Sequence, residues 1–298
     1  MSEEMMKQGV LVRGFGGFYV AAEDDGTEHI LRCKKKFRRM RISPLVGDQV
    51  TFTPGEGEEH GWLEDILPRT SECIRPPVAN VSLLIVVICP SPEPDLLLVD
   101  RLLIRARLQG MRTAIVVNKS DLDPTLAKRI CEEYAGADCP VLSASAKEAR
   151  GLDALREMMT GESICCLTGQ SGVGKSTLLN ALLGLELETG DISEKIQRGK
   201  NTTRHAQLLI SGGIRVLDTA GFSLLELDAK QEPEKLREAY PEFLPHEGCC
   251  RFAPCLHDRE PGCAVTAAME AGEIAPGRVM RYRQLLADVR ETWKQRYN

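Results

Sequence analysis

The chain has 298 residues and a formal net charge of −5, with 43% hydrophobic and 27% charged residues. That length holds two or three domains, and the balance is that of a soluble globular protein. No apolar run nears the roughly 20 residues that span a bilayer, the segment Met1–Gln8 lacks the apolar core of a secretory signal, and the acidic balance argues against a nucleic-acid partner unless basic residues are locally clustered.

In chain order, Val10–Val20 is strand-like but interrupted by Gly14, Gly16 and Gly17. Glu28–Cys33 follows an acidic, glycine-containing turn, Val46–Val50 leads into another strand, and Gly61–Ile66 forms a further one. Short strands with glycine-rich turns predict a small closed or partly closed β barrel over residues 1–70. One stretch is strongly basic: Arg32, then Lys34, Lys35, Lys36, Arg38, Arg39 and Arg41, with Phe37 inside it. It reads either as a solvated strand and turn or as a contact for a phosphate backbone, with Phe37 as a stacking or packing group.

Arg75-Pro76-Pro77 marks a linker, because paired prolines interrupt helices and strands. Strand and helix patterns then alternate. The expected strands are Ser82–Cys89, Thr113–Val117, Cys139–Leu142, Ile164–Leu167, Ala206–Ile210 and Ile214–Leu217; the expected helices are Val99–Gln109, Leu122–Tyr134, Leu152–Met159 and Lys175–Leu183. Apolar strands separated by helices predict a mainly parallel sheet covered on both faces. Ser211-Gly212-Gly213 joins the last two strands as a hairpin. Leu224–Tyr240 is acidic and amphipathic until Pro241 and Pro245 break it. Cys263–Ala271 and Arg278–Tyr297 read as helices, and the second carries Arg278, Arg281, Arg283, Arg290, Lys294 and Arg296.

Gly169-Gln170-Ser171-Gly172-Val173-Gly174-Lys175-Ser176, followed by Thr177, matches the phosphate-binding GxxxxGKS loop between a strand and a helix. Its backbone N–H groups point at phosphates, Lys175 suits the β and γ phosphates, Ser176 suits Mg²⁺, and the helix N-terminus adds a favourable dipole. Asn118-Lys119-Ser120-Asp121 selects guanine: the Asp121 carboxylate accepts from N1–H and N2–H₂, a donor pair that adenine lacks. Asn118 would brace the loop and Lys119 would lie along the ring. Ser143-Ala144-Ser145 is placed to receive guanine O6 on its backbone, or to cap a helix before Lys147 and Glu148. Asp218-Thr219-Ala220-Gly221 supplies Asp218 to Mg²⁺ through water and Gly221 N–H to the γ phosphate, and Thr202 or Thr203 would complete the Mg²⁺ shell. Phe222 stands where many GTPases have a water-orienting glutamine, so the expected intrinsic turnover is slow and dependent on a partner, with Arg204 and His205 as candidate polar helpers. The guanine motif precedes the phosphate loop, the reverse of the ordinary order. Cutting an ordinary G domain between its DxxG and NKxD halves and joining the old ends gives this order and keeps the site, since ligands bind at the carboxyl ends of the strands. The segment that follows the DxxG motif is then expected to respond to the γ phosphate.

Of the 11 cysteines, Cys250, Cys255 and Cys263 fall with His257 in a C-x4-C-x-H-x5-C pattern. Three thiolates and an imidazole suit a closed tetrahedral zinc site. Cys249 is spare, and His246 is another neighbour.

These motifs, with Gly16-Gly17-Phe18-Tyr19, Pro44-Leu45-Val46-Gly47-Asp48, Arg75-Pro76-Pro77-Val78-Ala79-Asn80, Asp100-Arg101 and Glu260-Pro261-Gly262-Cys263-Ala264-Val265, make the chain resemble the bacterial ribosome small-subunit-dependent GTPase A family, circularly permuted GTPases also called RsgA or YjeQ. The resemblance implies a multidomain α/β chain: an OB-fold RNA-binding domain at 1–70, a permuted P-loop GTPase domain at 71–223 and a mainly helical zinc-binding domain at 224–298. It implies GTP hydrolysis with Mg²⁺, one structural Zn²⁺, late-stage action on the 30S subunit with 16S rRNA contact, and release on ribosome-stimulated hydrolysis. A cytoplasmic chain, monomeric when free and without membrane contact, is expected. The alternative is a GTP-switched RNA-binding protein in which turnover is incidental. The chain departs from the family pattern at Ala220, where proline is common, at Asn201, where a histidine precedes the threonines, and at Ser82, where an acid often follows the valine.

Overall fold

Alternation of inward apolar and outward polar residues closes a barrel at the N-terminal end of the computed structural model, which describes residues 6–55, 59–73, 77–161, 164–184, 206–218 and 232–295. Its strands are β1 (Lys7–Phe15), β2 (Phe18–Ala22), β3 (Glu28–Cys33), β4 (Gln49–Thr53) and β5 (Gly61–Ile66), in the order β1-β2-β3-β5-β4 with β4 pairing back to β1. The β3–β5 pairing is parallel and the others are antiparallel. This is the Greek-key closure of an OB-type barrel. Leu11, Ala21, Leu31, Val50, Phe52 and Leu63 fill it.

The basic run is a helix, α1 (Lys35–Met40), rather than the strand and turn expected for its solvated reading. Lysine, arginine and methionine are good helix formers, and Phe37 anchors the turn by burying its ring with the barrel core. Arg41 ends the helix in the left-handed region at φ 55°. Phe37 is therefore a packing group, and Lys35, Arg38 and Arg39 on the same helix stay in solvent.

Beyond the barrel, Asp48 is fully buried and accepts from Arg69 Nε at 2.7 Å, from an Arg69 terminal nitrogen at 2.9 Å and from Leu45 N–H at 2.7 Å. The carboxylate thus ties the chain leaving β5 to the turn before β4. Two short strands, β6 (Glu72–Cys73) and β7 (Val78–Ala79), follow as an antiparallel pair.

The second sheet comprises β8 (Leu83–Ile88), β9 (Arg112–Val117), β10 (Val141–Ser143), β11 (Cys165–Thr168), β12 (Gln207–Ser211) and β13 (Ile214–Asp218), in the order β10-β9-β8-β11-β13-β12. The registered pairs are parallel except the β12–β13 hairpin. Helices α2 (Leu96–Leu108), α3 (Leu126–Glu133), α4 (Leu152–Met159) and α5 (Lys175–Leu183) connect these strands. The uninterrupted burial of Leu83–Ile88 is what a strand covered on both faces requires.

The chain condenses into two compact units, one of Met1–Leu83, Asp153–Leu167 and Leu179–Leu224, the other of Leu84–Leu152, Thr168–Leu178 and Leu225–Asn298. In the second unit, Pro233–Ala239 and Pro241–His246 are 3₁₀ turns, followed by α6 (Ala264–Glu270) and α7 (Pro276–Lys294). Tyr240, Phe243 and Tyr282 pack ring against ring at 4.9–5.0 Å. Pro241, which opens the second turn, and Pro245, inside it, lack the amide hydrogens that one continuous α-helix would need.

Within that unit a buried ion network joins α7 to α2 and α3. Arg278 bonds Asp100 and, at 2.7 Å, Glu242; Arg281 bonds Asp100 at 2.7 Å and Glu133 at 2.8 Å. Tyr134 donates to Asp100 at 2.7 Å, and the Arg278 guanidinium lies 4.4 Å from the Tyr240 ring centroid and 4.9 Å from that of Tyr134. Arg107 adds bonds to the carbonyls of Ala137 and Ala239. Asp100 and Arg278 are essentially without solvent contact, and the two carboxylates hold the Arg278 guanidinium firmly charged against the cost of its burial.

Candidate nucleotide site and metal centre

Three loops of the second unit follow strands of the sheet and meet around Asn118. Asn118 Nδ2 donates to the Val173 carbonyl at 2.9 Å, and its Oδ1 accepts from Ala146 N–H at 3.3 Å. The asparagine therefore braces the guanine motif, the phosphate loop and the loop after β10 together. Lys119, at φ 55°, donates to Gly172 O at 2.7 Å and Ser91 O at 2.8 Å. These two bonds tie the guanine motif to the phosphate loop and to the loop after β8.

Ser145 is fully buried and donates to Asp121 Oδ1 at 2.6 Å, which holds the carboxyl below the usual carboxylate range. It also accepts from Glu148 N–H at 3.3 Å. No helix begins between Ser145 and Leu152, so Ser145 caps a turn rather than a helix, and its hydroxyl has a role that the motif did not suggest, orienting the Asp121 carboxylate. Ser143 ends β10, and Ala144 N–H donates to Val117 O.

The phosphate loop runs from β11 to α5. Gly169 has φ +137°, and a Cβ there would sit 2.1 Å from Val87 O. Gly174 has φ +89°, and its Cβ would meet Asn118 Nδ2 at 2.6 Å. Both positions need glycine, the second because the guanine loop approaches so closely. Replacing Gly174 by alanine is expected to weaken GDP affinity roughly tenfold or more, as read by titration calorimetry; unchanged affinity would show that the Asn118 brace is dispensable. Lys175 Nζ turns onto the loop carbonyls of Gly169 and Gln170 at 2.9 and 2.8 Å. Val173 is buried as the loop's anchor, while Ser171 and Gly172 are exposed, and Ser176 and Thr177 lie in the first turn of α5.

Two partners of the loop carried no motif. Asp95 N–H donates to Gln170 Oε1 at 3.0 Å, and Asp95 caps α2 by accepting from Leu98 N–H at 3.0 Å. Asp95 stands just before an apolar helical run, and that capping pattern was its one signal. Ser91 offers only a carbonyl, which leaves no trace in sequence. Asp218 is the last residue of β13. Thr202, Thr203, Arg204, His205, Thr219, Ala220, Gly221 and Phe222 lie outside the described residues.

The metal candidates come together as expected. One ligand atom each from Cys250, Cys255, His257 and Cys263 lies within 4.8 Å of every other. His257 turns Nδ1 to the Cys263 and Cys250 sulfurs, at 3.4 and 3.6 Å. Tetrahedral zinc with Zn–S bonds of about 2.3 Å requires neighbouring donors a little under 4 Å apart, so the set fits that ion with small adjustments. Burial pushes His257 below its ordinary range, toward the neutral imidazole that ligates metal. Cys249 is exposed and outside the cluster, and His246 instead approaches Glu273 at 3.8 Å. This Cys3His cluster supports a structural zinc site.

A GxxxxGKS loop and a guanine clamp that meet at one place, yet follow one another in rotated order along the chain, define a circularly permuted GTPase fold preceded by an OB-like barrel. The family model described as RsgA GTPase matches residues 66–228, and that of the RsgA N-terminal domain matches residues 8–63. The protein described as small ribosomal subunit biogenesis GTPase RsgA from Ruminiclostridium cellulolyticum is 44% identical, the match covering 94% of this chain and 93% of the relative. The protein of the same description from Geobacillus thermodenitrificans is 40% identical, with 98% and 100% covered. Among solved structures, YjeQ from Thermotoga maritima superposes with a TM-score of 0.83 at 34% identity, covering 96% of this chain and 99% of that one. YloQ, described as a circularly permuted GTPase, gives 0.80 at 28% identity, with 98% of each chain covered. The chain belongs to the RsgA GTPase family, and it is a GTPase.

Proposed function

We propose that this GTPase acts late in assembly of the small ribosomal subunit, binding the 30S particle and its 16S rRNA and leaving when the ribosome stimulates hydrolysis of GTP to GDP and phosphate. The observation that carries the nucleotide half is the joint brace of Asn118 and Lys119 onto the phosphate loop, with Asp121 oriented by Ser145. The ribosomal half is supported by the full-length likeness to proteins described as small ribosomal subunit biogenesis GTPases.

In this reading Asp121 takes guanine N1–H and N2–H₂, and the backbone of Ser143-Ala144-Ser145 faces O6. The N–H groups of residues 169–177 wrap the phosphates, and Lys175 leaves its loop carbonyls for the β and γ phosphates. Ser176, Asp218 through water, and Thr202 or Thr203 hold Mg²⁺, which neutralises charge on the transferring phosphate; Gly221 contacts the γ phosphate. The positive-φ glycines of the loop provide the cradle without Cβ atoms that such a ligand needs. The proposed division is an RNA-binding barrel at 1–70, the permuted G domain at 71–223 and the zinc-binding helical part at 224–298. A cytoplasmic monomer with no membrane role completes the proposal; no helix among the described residues is long and apolar enough to cross a membrane.

The deciding experiment is GTP turnover with and without purified 30S subunits, beside a Lys175→Ala control. Stimulation of at least tenfold, lost in the control, is expected; absence of stimulation overturns the ribosomal role, and turnover unchanged in the control overturns the site. Asp121→Asn is expected to lower GTP affinity at least tenfold, since guanine N–H groups would face an amide. The same variant should gain affinity for xanthosine triphosphate, whose 2-oxo group accepts where guanine donates. Competition binding with the two nucleotides reads both changes, and equal loss of both would point to a collapsed loop instead.

A further inference from the structure

The outer face of the barrel carries a row of aromatic rings that the nucleotide and metal sites leave unexplained. Cross-strand register aligns Phe15 with Phe18, Phe18 with Arg32, and Arg32 with Trp62, on β1, β2, β3 and β5 in turn. Their neighbours Leu31 and Leu63 point into the core, so strand alternation turns Arg32 and Trp62 outward. Phe15 and Trp62 are 46% and 45% exposed. The Phe15 and Phe18 rings are stacked at 6.1 Å, and Arg32 lies over Phe18 at 5.0 Å. His60 meets Phe18 edge-on at 4.8 Å. Three inter-strand steps of about 4.8 Å make the row roughly 14 Å long.

The charges around the row select its partner. The acids on the barrel strands near it are already neutralised: Glu28 by Arg13, Glu64 by Lys34 and Asp65 by Lys36. Arg32, Lys35, Arg38, Arg39 and Arg41 make no ion pair among the described residues, and α1 follows β3 directly. An apolar protein surface laid over the row would strand the Arg32 charge without a carboxylate. Unpaired nucleobases instead stack on ring faces and on a guanidinium plane, while their phosphates meet free cations. Duplex RNA keeps its base faces inside the helix and cannot use such a row.

We propose that Phe15, Phe18, Arg32 and Trp62 form a stacking platform for unpaired bases of single-stranded RNA, with α1 and Arg41 taking the phosphates. The platform rests on the assembly reading for which RNA it meets, and gives the barrel's part in that reading its chemistry. The test uses the full chain carrying Trp293→Phe, so that Trp62 alone reports, of the two tryptophans in the sequence. A short oligouridylate should quench Trp62 emission saturably, and a duplex of equal length should not. Phe15→Leu and, read by anisotropy of labelled oligouridylate, Trp62→Leu should each weaken binding about tenfold while leaving its salt dependence nearly unchanged. Both positions are exposed and keep an apolar group, so folding is not at stake. Unchanged affinity in both variants, or equal quenching by the duplex, overturns the platform. Aromatic-dependent RNA binding with no 30S stimulation of turnover would sink the assembly reading and keep the platform. Stimulated turnover with aromatic-independent RNA binding would do the reverse.

Discussion

Stripping zinc from this protein is expected to unfold its C-terminal helical part. The donors Cys250, Cys255, His257 and Cys263 lie within 13 positions of one another, on a loop between a 3₁₀ turn and α6. Among the described residues, only single bonds from several elements otherwise reach that loop, including Arg237 to Cys255 O at 2.6 Å, Tyr282 to Leu256 O at 2.6 Å, Arg290 to Asp258 at 2.8 Å and Glu260 to two backbone N–H groups. Structural zinc in small modules binds with an apparent free energy of about 10–16 kcal/mol, comparable to a typical domain's whole stability of about 5–15 kcal/mol. Native mass spectrometry should show one zinc per chain, and a strong chelator should abolish the near-ultraviolet dichroism of the Tyr240–Phe243–Tyr282 cluster. Cys255→Ser should behave as the chelated protein does. Burial pushes the Cys255 thiol up to about 12, so metal must displace thiol protons, and affinity should rise with pH. A protein that keeps its aromatic dichroism and melting temperature after complete zinc removal would overturn the structural role.

Breaking the ion network at Arg278 is the second large effect. Arg278→Ala would leave Glu242 buried without its cation, and Asp100 with Arg281 and the Tyr134 hydroxyl. Removing one partner of a buried pair costs about 3–5 kcal/mol, and the lost packing between the Tyr134 and Tyr240 rings adds to it. Urea unfolding should show a lower midpoint with little change in slope. The double variant Arg278→Met with Glu242→Leu should recover much of the loss, because an apolar replacement of both charges avoids the unpaired carboxylate. A single variant within about 0.5 kcal/mol of the parent, the range of ordinary surface substitutions, would show that the network is neutral. Since Asp95 and Asp100 share α2, the same helix that meets Gln170 in the phosphate loop also anchors α7. A γ-phosphate signal that moves the C-terminal part must therefore work against these buried pairs.

The parts legible in sequence were those whose chemistry is local. Glu28–Cys33, Gly61–Ile66, Leu152–Met159 and Lys175–Leu183 lie where hydrophobic period and turn residues put them. The phosphate loop and guanine motif could be read because their residue types follow from the ligand, and the metal set because all four donors fall in one short segment. Lys34–Arg41 misled because charge was weighed ahead of helix propensity and the single anchor Phe37. The 3₁₀ turns after Glu232 depend on proline positions within an otherwise amphipathic pattern. The ion network was invisible for a different reason: Asp100 and Arg278 are 178 positions apart, and a lone buried arginine looks like any other in a basic helix. The role of Ser145 needed coordinates too, since capping and carboxylate positioning demand the same residue.

The rotated order of the sheet also sets how this chain must be made. The barrel needs nothing beyond Ile66 and can close early from neighbouring strands. The all-apolar strand β8 cannot be covered on one edge until β11 arrives, and the pair Ser82–Ile164 at that junction spans 82 positions. At roughly 5–20 residues per second of synthesis, that edge waits on the order of ten seconds. An unrotated domain would begin with the phosphate-loop strand already in place. Each nascent copy instead carries an apolar, unpaired strand edge before the nucleotide site is complete, the kind of edge on which growing chains aggregate.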